Sequence, residues 1–125
     1  MFRFRKLQRV VHQRDFDRAF KGGRVSADGT LVMHAVVNGL KQSRLGISIS
    51  RRVGNAVVRN LWKRRIREAF RLQQDRIPLG LDLVVRPRKG AKPEHAMIFR
   101  SMLTLSTKLG KQCRGSATGP PSQEK

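Results

Sequence analysis

Apolar residues along this 125-residue chain recur with two different periods, and the switches between them mark the elements. Residues 31–37, Leu-Val-Met-His-Ala-Val-Val, read as a strand: pleating sends Leu31, Met33, Ala35 and Val37 to one side and Val32, His34 and Val36 to the other. Residues 45–50 alternate between large apolar residues and small polar residues or glycine, which predicts a second strand. Its small face, with Gly46 and Ser48, leaves room for something to lie across the sheet. A third strand is expected over 81–86, Leu-Asp-Leu-Val-Val-Arg, closed by Pro87. Helical spacing runs through residues 10–20 (Val11, Phe16, Ala19, Phe20) until Gly22-Gly23 stops it. It returns over 56–73, with Asn55 as N-cap, and over 94–109, which presents Ile98, Met102, Leu105 and Leu109. Residues 24–26 carry a weak signal for a short additional strand. From Gly110 onward Gly, Ser, Thr and Pro prevail, which predicts a disordered tail over 110–125.

The order helix, strand, strand, helix, strand, helix predicts a small α/β fold, an α+β two-layer sandwich with helices on the apolar face of one sheet. It makes one domain over residues 1–109, opened by a basic arm carrying Arg3, Arg5, Lys6 and Arg9. Composition then narrows the partner. Lys and Arg number 28 against 8 Asp and Glu, a formal charge of +20, which attracts polyanions at long range. Nucleic acid is favoured over an anionic membrane surface, which asks for a basic helix with a broad spare apolar face that this chain lacks. No window is apolar enough to span a bilayer and no apolar signal segment follows the first charges, which predicts a cytoplasmic protein. The single cysteine, Cys113, permits neither an internal disulfide nor a thiolate zinc site.

The strongest chemical signal lies in residues 58–71. On a helical wheel Arg59, Asn60, Lys63, Arg64, Arg67 and Arg71 fall within an arc of about 140°, and Leu61, Val58, Ala69, Trp62, Ile66 and Phe70 make the apolar side, which meets that arc at Phe70 beside Arg59. Glu68 is the sole acid in that stretch, so the cations lack the mixed signs of an ordinary solvated face. Cations one turn apart, about 6 Å, are spaced to follow a phosphate backbone. Asn60 within the stripe adds an amide that both donates and accepts. Arg51 and Arg52 before the glycine turn, and Arg86, Arg88 and Lys89 after the third strand, are further cationic groups without an assigned partner.

Residues 46–60, Gly-Ile-Ser-Ile-Ser-Arg-Arg-Val-Gly-Asn-Ala-Val-Val-Arg-Asn, continuing into Lys63-Arg64, Arg67 and Phe70, closely resemble the signature of the bacterial ribonuclease P protein component. The resemblance extends to Phe16, Phe20 and the closing strand and helix, covering about residues 7–109. Two positions depart from the family pattern: Leu61 replaces a residue that is often arginine or polar, and Arg65 stands where the family is usually apolar. Arg65 lies in the apolar arc, where its aliphatic stem lets the charge snorkel out, and it is left off the binding set.

The resemblance implies a fold like the second domain of a ribosomal small-subunit protein, with a left-handed βαβ crossover. It further implies a large catalytic RNA as partner, precursor transfer RNA as substrate, and removal of the 5′ leader by Mg²⁺-dependent chemistry carried mainly on the RNA. The protein, as a monomer within the ribonucleoprotein, would bind RNA through Arg51, Arg52, Arg59, Asn60, Lys63, Arg64, Arg67 and Arg71. A cleft of Phe16, Phe20, His34 and Ser48 would take the single-stranded leader. Two phenylalanines at i, i+4 are otherwise read as core, and His34 as a half-buried strand residue; only the family likeness favours a role in stacking. Trp62 reads as core.

The carboxylates are scattered, so no protein metal site or catalytic residue is expected, and His12, His34 and His95 lie on different elements. The alternative is a ribosomal or other structural RNA-binding protein. A DNA-binding regulator lacks its helix-turn-helix or dimer seam, and a free-standing nuclease is the least favoured reading.

Overall fold

The alternation over residues 31–37 becomes β2 (Leu31–Val37), in which buried positions alternate with partly covered ones as far as Val36, while Val37, expected on the buried side, is exposed at the strand's end. The computed structural model describes residues 9–10 and 12–118, with side chains up to Cys113. The expected basic arm at residues 1–8, together with Val11 and residues 119–125, lies outside the described residues. β1 (Arg24–Ala27), the weakly signalled strand, and β4 (Leu81–Pro87) flank β2, and both run antiparallel to it. β3 (Arg44–Ile47) pairs with β4 in parallel, giving a four-stranded mixed sheet in the order β1-β2-β4-β3.

One face of the sheet is closed. Leu31, Met33, Ala35, Leu45, Leu81, Leu83 and Val85 pack against two helices, α2 (Ala56–Leu72) and α3 (His95–Thr118). The helices contribute Trp62, Ile66, Ala69 and Phe70 from α2 and Ile98, Met102, Leu105 and Leu109 from α3. α2 starts where its cap predicts: the Asn55 side chain accepts from the Val58 amide at 3.0 Å. This helix is the connection between the parallel strands β3 and β4, so its inner face is held to the same core as the strands it joins.

Three expectations need correction. The first helix does not begin at residue 10 and does not share the closed face. Val10 is extended: its amide donates to the Leu45 carbonyl at 3.0 Å, and Arg9 bridges Leu45 in parallel, so this segment covers the free edge of β3. α1 (Gln13–Gly22) then lies on the opposite face, where Phe20 meets His34 and Phe16 meets Gly46. The room left by the small residues of 45–50 is thus taken, at Gly46, by the chain's own Phe16. A side chain at Gly46 would come within 2.9 Å of that ring. The second strand is also shorter than its alternation predicts. Ladder bonding ends with the Ser48 amide on the Val85 carbonyl, and Ile49 turns toward the core ahead of the 3-10 turn Arg51–Val53.

Third, the chain does not leave the domain at Gly110. α3 continues to Thr118, and Gly110 and Cys113 are both buried. Gly110 serves close approach, because a Cβ there would fall 2.6 Å from the Pro78 ring. Gly110→Ala is therefore expected to lower stability by about 1–3 kcal/mol, the usual cost of overpacking. An unchanged thermal melting curve would show that this end of α3 does not seat on Pro78.

Candidate nucleic-acid interface

With Trp62, Ile66, Ala69 and Phe70 turned inward, α2 presents its cationic stripe outward. Asn60, Arg64 and Arg67 are exposed, while Arg59, Lys63 and Arg71 are half-buried along its edges. Arg51 and Arg52 stand exposed in the turn that leads into the helix. Among the described residues, Arg59, Lys63, Arg64 and Arg67 make no ion pair; elsewhere Arg18 and Arg44 pair with Asp15 and Asp82. The Arg59 Nε is buried without a hydrogen-bond partner. Arg65, on the inward side, donates from Nη1 to the Pro93 carbonyl, so its departure from the family pattern is a structural tie. Leu61 is half-buried beside the stripe.

A hollow of about 170 Å³ joins this helix to the other group of candidates. Phe16, Gly46 and Val10 form part of its wall, and Lys63, Arg67 and Arg9 bring cations to it. One turn along α1, Phe20 remains 38% exposed and stands edge-on to the His34 ring, with centroids 4.9 Å apart and planes at 85°. The His34 Nε2 is buried and unpartnered. Burial first, and the charge of Arg86 second, hold the imidazole below its ordinary pKa, so it is neutral near pH 7. Ser48 lies one row further along this open face of the sheet, outside the hollow.

Phe16, Lys63 and Arg67 therefore line one hollow, Phe20 pairs with His34, and Ser48 is not part of that hollow's lining. Sequence reasoning missed Arg9 and Val10, whose role as an edge strand depends on long-range pairing, and it missed that Arg86 faces His34. A larger cavity, about 570 Å³, lies elsewhere, between the end of α1, β1 and α3, lined in part by Gly23, Arg24, Ala35 and Cys113. Among the described residues no group of three or more His, Cys, Asp or Glu is placed to hold a metal ion. No described helix is long and apolar enough to cross a membrane.

A helix face of cations, with Arg59, Lys63, Arg64 and Arg67 outside any ion pair among the described residues, stands beside an aromatic-walled hollow on an α+β domain, and this defines an RNA-binding protein. The family described as Ribonuclease P matches residues 4–110. A ribonuclease P protein component from Petrotoga mobilis is 44% identical over 112 residues, covering 85% of this chain and 94% of its own. The solved structure of the Staphylococcus aureus RNase P protein is similar at a TM-score of 0.72 and 36% identity, over 83% of this chain and 95% of that one. The Thermotoga maritima RNase P protein superposes with a TM-score of 0.73 at 34% identity, over 80% of this chain and 96% of its own. The chain belongs to the ribonuclease P protein family, and the alternative of a ribosomal protein is set aside.

Proposed function

We propose that this subunit binds the catalytic RNA through the stripe Arg59, Asn60, Lys63, Arg64, Arg67 and Arg71, with Arg51 and Arg52 extending it, and takes the 5′ leader of precursor transfer RNA across the open face of the sheet. The observation that carries this reading is the meeting of Phe16 with Lys63 and Arg67 in one hollow. Single-stranded nucleic acid needs an aromatic surface for its bases and cations for its backbone, and that combination tolerates any sequence, as a general processing enzyme requires. The edge of Phe20 and the unpartnered Nε2 of His34 continue the surface, the imidazole offering a nucleotide a hydrogen bond in its neutral form. Ser48 belongs to the same face and leaves it shallow there. Mg²⁺ would be held mainly by the RNA and the substrate, because the described protein residues offer it no cluster of carboxylates. One copy of the chain serves each catalytic RNA.

The test compares substrates. The chain alone is expected not to cleave precursor transfer RNA, and to raise the affinity of its RNA subunit for substrate that carries a leader. Phe16→Leu with Phe20→Leu keeps most apolar volume while removing stacking, and should weaken binding of leader-bearing substrate about tenfold. Mature transfer RNA should bind as before. Equal losses for both substrates in a folded variant would make the two phenylalanines ordinary packing residues.

A further inference from the structure

Asp82 is an anomaly in β4: a carboxylate with a fully buried side chain in a strand whose other buried residues are Leu, Val and Pro. Its oxygens accept from Arg44 Nε at 2.7 Å and from Arg44 Nη2, from Asn38 Nδ2 at 3.0 Å and from Arg18 Nη2 at 3.2 Å. Arg44 in turn lies 3.5 Å from Asp15. Arg44, Asn38 and Asp82 belong to the sheet and its connecting loop, whereas Asp15 and Arg18 belong to α1. The cluster therefore has two parts: an inner set that ties β3 to β4, and two outer links that reach across to the helix.

Those outer links matter because α1 has little else to fix its angle. It is ten residues long, has no side-chain cap at His12, and buries only Ala19 completely. Its seat rests on Phe16 over Gly46, on Phe20 against His34, and on the pair Asp15 and Arg18. The first two contacts are made by the rings themselves, so they cannot hold the rings in place while those rings engage bases. Asp15 and Arg18 are the anchorage that lies outside the path of the ligand.

We infer that Asp15 and Arg18 are positioning residues, holding α1 through Arg44 and Asp82 at the angle where Phe16 and Phe20 meet single-stranded nucleotides. The inference rests on the open face being the path of the leader. It makes leader recognition depend on polar contacts that touch no RNA, and it gives the buried Asp82 a purpose beyond joining two strands.

The double variant Asp15→Asn, Arg18→Gln removes only the outer links and leaves the net charge at +20, so the attraction for RNA as a polyanion is preserved. Assembled with the RNA subunit, it is expected to bind leader-bearing precursor about three- to tenfold more weakly, the range of effects on coupled positions. Affinity for mature transfer RNA and for the RNA subunit, and kcat at saturating precursor, should stay as in the parent protein. Arg18→Lys, which keeps a cation for Asp82, should restore most of the leader preference. Arg18→Gln alone, at a half-exposed position, provides the same reading should the double variant lose helix by circular dichroism. If leader preference persists in these variants but is lost in the Phe16→Leu, Phe20→Leu protein, the positioning role is wrong and the leader path stands. If it persists in the phenylalanine variant as well, both fall. Equal weakening toward both transfer RNA forms would reduce the links to general structural support and overturn the inference.

Discussion

Replacing Arg59, Lys63 and Arg67 together by glutamine is expected to weaken RNA binding about a hundredfold near physiological salt, because each phosphate contact adds roughly 0.7–0.9 to the slope of log affinity against log salt. Three lost contacts take about 2.1–2.7 units from that slope. The flattening is the more telling result, since a misfolded protein loses affinity without keeping a defined, shallower slope. Glutamine is nearly as good a helix former as arginine or lysine, and none of the three side chains makes an ion pair among the described residues, so α2 should remain intact by circular dichroism. Titrations at four or five salt concentrations decide it. An unchanged slope would move the RNA contact off this helix face.

The second large effect is on stability. Asp82→Asn keeps the shape of the side chain but removes the charge that Arg44 and Arg18 face, and breaking such a buried pair costs about 3 kcal/mol. For a chain of this size that lowers the melting temperature by about 10 °C. The same residue sets an acid limit. Burial pushes the Asp82 carboxyl up, but hydrogen bonds from Arg44 and Asn38 and the nearby guanidinium charges outweigh it and hold the group below the ordinary carboxylate range. Asp28 is lowered too: burial opposes ionisation, while the Ser101 hydroxyl and the Leu31 and Thr30 amides favour it more strongly. A carboxylate depressed in the folded state contributes stability above its unfolded pKa, and that contribution is lost as pH falls through the folded value. The parent protein should therefore lose stability below about pH 4, the ordinary carboxylate range. The Asn variant should start lower at pH 7 and fall less steeply. Parallel curves for the two proteins would mean that Asp82 is not the group being titrated.

What the sequence reveals of this architecture follows the range of the interactions involved. β2, β4 and α2 are legible because their periods and the Asn55 cap are local, and their inward residues are those of the core. The cationic stripe is legible for the same reason, since a wheel needs only the helical repeat. The face chosen by α1 is not legible: its apolar residues allow either side of the sheet, and the choice depends on Gly46 and Asp82, some thirty and sixty residues away. Gly110 reads as the start of a tail because Gly, Ser, Thr and Pro prevail beyond it, whereas here its missing Cβ admits Pro78 from a distant loop. The alternation over 45–50 alone could not tell that Phe16 would occupy the space at Gly46.

Because α2 is the link between neighbouring parallel strands, the order of assembly is constrained by the same helix that carries the charge. β3 and β4 have no short turn between them, so they pair only after the intervening segment has swung across the sheet and docked. That swing gathers the cations of α2 onto one side of the molecule, against their mutual repulsion. On the proposed reading, an RNA strand laid along the docked helix would offset that repulsion and stabilise the docked form in proportion to how tightly it is held. Folding of the subunit would thereby be tied to its assembly, and chains made in excess of their RNA are expected to spend more of their time with β3 and β4 unpaired, the edge of β4 open to proteases.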